Sequence, residues 1–264
     1  MSIRNSYLSV VRRPARRRWL GLALATALLP VSSLAEQRDP KAVELAESVV
    51  EAMGGQDAWD ATRFVRFNFF GFRLHHWDRQ TGRHRLEGKS RDGDSYVILH
   101  NVNTREGTVV VNGEVMEGEE KDKRLKGAYG AWINDTYWLV MPYKLLDPGV
   151  NLAYDGEETI DDTTFDKLKL TFEGVGLTPG DTYWAYINRD TGLMERWAYF
   201  LESWEEDREP THWQWTDWAR HGKVMLSPRR YNTAEKNERM LSDLAVLDHL
   251  PDSVFESPDP VKVD

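Results

Sequence analysis

Between Pro40 and Met53, apolar residues fall at 42, 43, 45, 46, 49, 50 and 53. That spacing predicts one helix face, and Gly54-Gly55 supplies its stop. Beyond the helix the period shortens. Aromatic and β-branched runs cut by turn signals predict strands over 62–77, 83–90, 94–102, 107–116, 166–175, 181–189, 193–202, 211–218 and 241–248. Lys167–Phe172 alternates cleanly, with Leu168, Leu170 and Phe172 on one face and Lys167, Lys169 and Thr171 on the other. A half-buried antiparallel strand reads that way. Thr178-Pro179-Gly180-Asp181 predicts a type II turn, and Asn188–Gly192 a short hairpin loop. A helical interruption separates the two strand groups. It comprises Glu119–Ile133 and a short second helix, Thr136–Met141, which Asp135 caps and Pro142 helps to end. Tyr129, Trp132, Trp138 and Met141 give this segment an apolar stripe. The pattern is that of a mainly β chain with helices (α+β), mostly one antiparallel sheet, in a single domain without internal repeats.

The N-terminus has its own pattern. Residues 12–18 (RRPARRR) are a basic region, Trp19–Val31 is a 13-residue apolar run, and Ser33-Leu34-Ala35 places small residues before Glu36. This predicts a cleaved signal peptide over 1–35, since the run is too short for a bilayer of about 30 Å. Arg16-Arg17-Arg18-Trp19-Leu20 also fits a loose twin-arginine pattern. Residues 36–256 then form the domain, and 257–264, with Pro258, Pro260 and acids, a loose acidic tail. The expected location is the periplasm, by the general secretory or the twin-arginine route.

Charge narrows the partners. The 264-residue chain has a formal net charge of -9, and all six arginines of the first 35 residues lie in the leader. A body this acidic repels phosphate backbones, which excludes nucleic acid as the expected partner. The absence of cysteine excludes disulfides, thiolate metal sites and a lipid-modified N-terminal cysteine. No G-x-S-x-G, H-E-x-x-H or P-loop occurs. The acidic clusters Glu157-Glu158, Asp161-Asp162 and Glu205-Glu206-Asp207 read as solvated surface. No catalytic residue, cofactor or metal is therefore assigned.

The aromatic content is unusual, with 11 tryptophans. Most must be core, because burying one removes up to about 250 Å² of surface. Trp213 and Trp215 share a strand face, with Trp218 on the other. Pointing outward, the pair suits sugar rings; pointing inward, which is the expectation, it fills the core.

Register arithmetic adds one more candidate. A five-residue loop at 78–82 and a three-residue turn at 91–93 stack Phe72/Gly88/Tyr96, Leu74/Leu86/Ile98 and His76/His84/His100 across three strands. The histidine row is either a polar rim or the nitrogen donors of a zinc-type site.

The leader, a first helix ending Ala52-Met53-Gly54-Gly55, then Ala58-Trp59 and a long series of strands resemble the outer-membrane lipoprotein-sorting (LolA/LolB-like) superfamily. Tyr137–Leu152 and Thr178–Trp197 resemble stretches of uncharacterised exported bacterial proteins of that fold. The resemblance implies an unclosed antiparallel β-barrel of about ten strands wrapped over helices, with an apolar cavity between sheet and helices. On this basis the expected protein is a soluble, exported, non-enzymatic binder of a lipid or acyl chain. The 119–141 helices would act as a lid, and Phe72, Leu74, Leu86, Ile98, Trp138 and Met141 would line the cavity. The alternative is an exported glycan-binding or glycan-hydrolysing protein using surface tryptophans.

Overall fold

The computed structural model describes residues 37–261, so the expected leader lies outside the described residues. The chain enters through α1 (Pro40–Ala52) and α2 (Gln56–Asp60). It continues through β1 (Phe64–Phe69), β2 (Arg73–Asp78), β3 (Arg83–Lys89), β4 (Ser95–Asn101), β5 (Gly107–Val111) and β6 (Glu114–Val115). The long helix α3 (Gly118–Val140) leads to β7 (Val150–Ile160), β8 (Thr163–Phe172), β9 (Thr182–Asn188), β10 (Met194–Phe200) and β11 (Thr211–Thr216). A small hairpin of β12 (Ala219–His221) and β13 (Val224–Leu226) precedes β14 (Arg229–Asn232), β15 (Asn237–Leu247) and α4 (Ser253–Glu256).

Among the described residues, thirteen strands join in one antiparallel sheet in the order β6-β5-β4-β3-β2-β1-β15-β14-β11-β10-β9-β8-β7. The sheet is not closed: β15 returns to pair with β1 and so fuses the two strand groups, leaving β6 and β7 as edges. An open edge invites unwanted pairing. At β7 the segment before α1 covers it, with Leu152 N donating to Gln37 O (2.9 Å) and Asp39 N to Leu152 O (2.8 Å).

Local chemistry explains the first helix. Asp39 accepts from Lys41 N at 2.8 Å, with Pro40 in the first helical turn. Ala42, Ala46, Val49 and Val50 form its buried face. Gly54 takes φ 113°, and a Cβ there would lie 2.6 Å from Lys223 O, so only glycine lets the β12–β13 hairpin close on the helix end.

Several expectations change. The run 62–77 is two strands, because Phe70 and Gly71 take positive φ (54° and 79°) and make a hairpin inside an unbroken aromatic pattern. The run 107–116 splits likewise at Asn112-Gly113. The expected helix pair is one continuous α3, ending in a 3-10 turn at Met141–Lys144. Asp135 lies inside α3, fully buried, and is not a cap. Thr178–Asp181 is a turn, with Asp181 N donating to Thr178 O, but Gly180 lacks the positive φ of type II. The sheet has thirteen strands where about ten were expected. Strands β7 and β14 lay outside the expected runs, β7 because its second half, with Asp155, Glu157 and Glu158, breaks the apolar pattern. The tail is not loose as far as Asp259: Arg85 donates to the carbonyls of Val254 (3.3 Å), Ser257 (2.7 Å) and Asp259 (2.9 Å).

One face of the sheet packs on the helices. The main core joins α1, Trp59 of α2 and the C-terminal half of α3 to β1, β7–β11 and β15. Leu168 and Leu170 point into it, as their alternation predicted. A second core sets Leu125 and Ala128 of α3 on Leu86, Ile98, Val109 and Val111. α4 caps Phe64 with Val254 and Phe255. α3 thus spans two different interiors.

Candidate functional site

A cavity of about 500 Å³ opens between α3, the 3-10 turn and the sheet. α3 supplies Trp132, Ile133, Thr136, Tyr137 and Val140, which share one helical face. Trp59, Trp77, Tyr143 and Phe172 complete most of the aromatic wall. Tyr143 stacks on Trp59 (centroids 4.5 Å) and donates to Met53 O (2.8 Å), while Trp132 meets Trp77 edge-on at 5.5 Å. Beside it is a smaller lobe of about 240 Å³ reaching Trp138, Leu177 and Tyr183. Ile133, Tyr137, Phe172, Val175 and Gly176 border both.

The 173–177 strap covers the lobes because Gly149 permits it. Glu173 N donates to Gly149 O (2.9 Å), and a Cβ on Gly149 would lie 2.4 Å from Val175 Cγ1. Gly174 and Gly176 carry positive φ on either side of Val175, and Leu177 at the end of the strap is 58% exposed.

The cavity also has a polar wall. The Arg79 guanidinium lies 3.5 Å from the Trp59 ring centroid and donates to the carbonyls of Trp59 and Thr62. Its Nε is buried without a hydrogen-bond partner, and burial pulls the guanidinium down to about 10. Lys144 is paired with Asp147 at the same rim.

The residues expected to line one cavity are dispersed. Trp138 borders the smaller lobe, and Met141 is fully buried in the main core. Leu86 and Ile98 face α3 across a separate recess of about 340 Å³. Leu74 points to the opposite sheet face, and Phe72 is 61% exposed in the β1–β2 turn. Residues that do line the cavity and were missed include Trp59, Trp77, Arg79, Tyr137 and Val175. Gly174-Val175-Gly176, a glycine pair around one apolar residue, was the available signal.

The dispersal has one origin, a shorter loop. Asp78 accepts from Gln80 N and Thr81 N, and Gly82 N donates to Asp78 O, so the hairpin closes over four residues and not five. Trp77 then pairs with His84, His76 with Arg85 and His75 with Leu86. The one-residue shift sends Leu74 and His76 to the other face. The second turn matches expectation, with His84 opposite His100 and Leu86 opposite Ile98.

His75 therefore takes the place expected for His76. His75 Nδ1 and His84 Nε2 are 3.0 Å apart, and His84 Nδ1 and His100 Nε2 2.7 Å. His75 Nε2 lies 2.9 Å from Asp135 Oδ2. Asp135 also accepts from Arg73 Nε (2.7 Å), Arg73 Nη2 (2.8 Å) and Asn134 Nδ2 (2.8 Å). These nitrogens are paired with each other and do not converge on a point, and no group fit for a metal ion occurs among the described residues. With His76 on the opposite face, the row His76/His84/His100 does not form.

Trp213 and Trp215 point inward, 5% and 0% exposed. Asp217 takes φ 60° after β11 and turns Trp218 back, so that it stacks with Trp215 (6.2 Å) instead of facing outward as expected. Arg230, fully buried, lies 3.4 Å from the Trp215 ring centroid.

No curated protein matches the chain. The chain is similar in structure to a DUF1329 family protein from Desulfovibrio piger, at 14% identity and TM-score 0.43 over 82% of this chain and 97% of that one. It is similar to a LolA superfamily protein from Nitrosomonas europaea at 12% identity and TM-score 0.37, covering 81% and 96%. A putative outer membrane lipoprotein-sorting protein domain from Vibrio parahaemolyticus is similar at 8% identity and TM-score 0.39, covering 80% and 97%. By sequence, residues 97–215 match a family of unknown function, DUF6503.

Proposed function

We propose that the protein is an exported, non-enzymatic carrier or binder that holds an acyl chain or similar apolar ligand between α3 and the sheet. The observation that carries this reading is the cavity of about 500 Å³, walled by Trp59, Trp77, Trp132, Tyr137 and Phe172. Its size and its aromatic walls, with Gln56, Asp60, Arg79, Lys144 and Asp147 as polar lining, are those of a small-molecule site. Affinity comes from apolar burial at about 0.8 kcal/mol per CH₂. Arg79, a guanidinium on the cavity wall, suits a ligand whose chain ends in an oxygen-bearing group. The sheet is the fixed wall, and the glycine-flanked 173–177 strap is the part best able to move. Export rests on the leader pattern of residues 1–35, and among the described residues no helix is long and apolar enough to cross a membrane.

Native mass spectrometry of protein isolated from a bacterial periplasm tests the reading. The expected spectrum shows an apolar adduct of lipid mass, lost when Val175→Trp fills the cavity. An adduct of sugar mass, or an unchanged adduct in the variant, overturns it.

A further inference from the structure

We propose that the smaller lobe beside the cavity is a subsite for a positively charged ammonium group, held by the buried Asp181 carboxylate and the aromatic rings around it. The proposal deepens the binding reading above and rests on it, because it gives the bound amphiphile a cationic head.

Charge separates the two lobes. The larger is lined by two acids, Asp60 and Asp147, and two bases, Arg79 and Lys144. The smaller has Asp181 and no Lys, Arg or His in its lining. Arg79 lines only the larger lobe, so the oxygen-bearing group it suits and the ammonium occupy different lobes. At about 240 Å³ the smaller lobe falls below the range of about 300–1,000 Å³ usual for a whole ligand. It suits a head group whose chain lies next door.

Two loops fix the carboxylate. The Thr178–Asp181 turn leads into β9, and the chain leaving β10 brings the Glu202 backbone to the same side chain. Asp181 Oδ1 accepts from Glu202 N at 2.9 Å, and Oδ2 accepts from Thr178 Oγ1 at 2.7 Å and from Tyr183 OH at 3.5 Å. All three donors are neutral. They orient the carboxylate without cancelling its charge, and its roughly four acceptor sites leave one for a ligand. Asp181 is only 3% exposed, and among the described residues no base pairs with it. A charge taken out of water without a counter-ion is costly, and a cationic ligand offsets that cost.

The rings supply the rest. Tyr137 of α3, Phe172 of β8 and Tyr183 of β9 pack edge to face. Their centroids are 5.3 Å apart for Tyr137–Tyr183, 5.6 Å for Phe172–Tyr183 and 6.4 Å for Tyr137–Phe172. Trp138 adds an indole to the same lining. Aromatic faces carry partial negative charge and attract a cation within about 6 Å. Burial is the main cause raising Tyr137 and Tyr183, and Asp181 raises both further, so its field reaches both rings. An anionic head meets that field with the wrong sign. A hydroxyl gains one hydrogen bond, whereas an alkylammonium satisfies the carboxylate and the ring faces together.

Calorimetry at about 0.15 M salt, where surface charge is screened, tests the subsite with paired probes. Decyltrimethylammonium, below its micelle concentration, should bind wild type at least tenfold more tightly than decanol. In Asp181→Asn, which keeps an acceptor for the loop bonds, that preference should shrink to less than threefold while decanol binds as before. Leu177→Trp, at a 58% exposed position bordering only the smaller lobe, should also abolish it. Equal affinity for the two probes in wild type, or a preference intact in both variants, overturns the subsite. Choline and its neutral isostere 3,3-dimethylbutanol separate a free ammonium from a lipid head. Decanol binding without a preference removes the subsite and leaves the carrier. A choline preference lost in Asp181→Asn, with no binding of either ten-carbon probe, leaves the subsite and removes the carrier.

Discussion

The two interiors spanned by α3 are held by different physics. On the β7–β11 side, Trp138 meets Trp197 at 4.7 Å and Trp213 at 5.5 Å, and Trp197 meets Trp215 at 5.4 Å. The rings pack edge to face, and their burial stabilises the fold without reference to pH. On the β2–β4 side, beside the apolar contacts of Leu125 and Ala128, Asp135 of the same helix bonds His75, the first of three imidazoles linked in series whose bonds depend on every proton being in place. The first interior is indifferent to pH, and the second holds buried imidazoles that the fold keeps neutral. A single sheet can thus combine a permanent core with a titratable seam.

The largest expected effect lies in the histidine half. His75, His76, His84 and His100 are all lowered in the fold, mainly by burial, with His76 falling to about 3 and His100 to about 4. Below pH 6.5 the unfolded chain binds protons that the folded one refuses, so stability falls as pH drops toward those values. From pH 7.5 to 5 the loss is about 2 kcal/mol each for His76 and His100. Urea unfolding across that range measures it. A midpoint independent of pH would erase the contrast between the halves.

In the aromatic half, Trp197→Ala should cost about 3–5 kcal/mol in urea unfolding. The loss should be equal at pH 7.5 and 5, since nothing titratable replaces the ring. A pH-dependent loss would mean the two interiors are coupled.

A smaller effect isolates one histidine outside the chain. His76 has both ring nitrogens buried and unpartnered and lies near Arg85 and Arg66. His76→Leu should narrow the gap in stability between pH 7.5 and 5 by about 2 kcal/mol. The smallest effect expected is at the cavity wall. Arg79→Gln should weaken binding of a fatty acid about tenfold, or 1.4 kcal/mol, by calorimetry, with little change for an alkane of the same length.

How much of this was legible depended on distance along the chain. α1 and its glycine stop follow from local spacing, and so does the inward set Leu168, Leu170 and Phe172. The β3–β4 register also followed, because Arg91-Asp92-Gly93 closes a turn of the expected length. The histidine chain was missed by one residue, because the Asp78 side chain tightened a loop by one position and traded His76 for His75. Asp135 was read as a helix cap, since Arg73, its partner 62 positions away, is invisible to local pattern. Arg79 and the 173–177 strap gave no periodic signal, and they become a wall only when β2, α2 and the Gly149 turn meet.

An apolar chain held between α3 and the sheet would contact the tryptophans of the cavity. Stearate brominated along its chain tests this directly, because bromine quenches tryptophan on contact and Trp59, Trp77 and Trp132 line the cavity. Saturable quenching at one ligand per protein, abolished in Val175→Trp, is the expected result. Fluorescence that stays unchanged at saturating ligand, or quenching that survives intact in the variant, would contradict it.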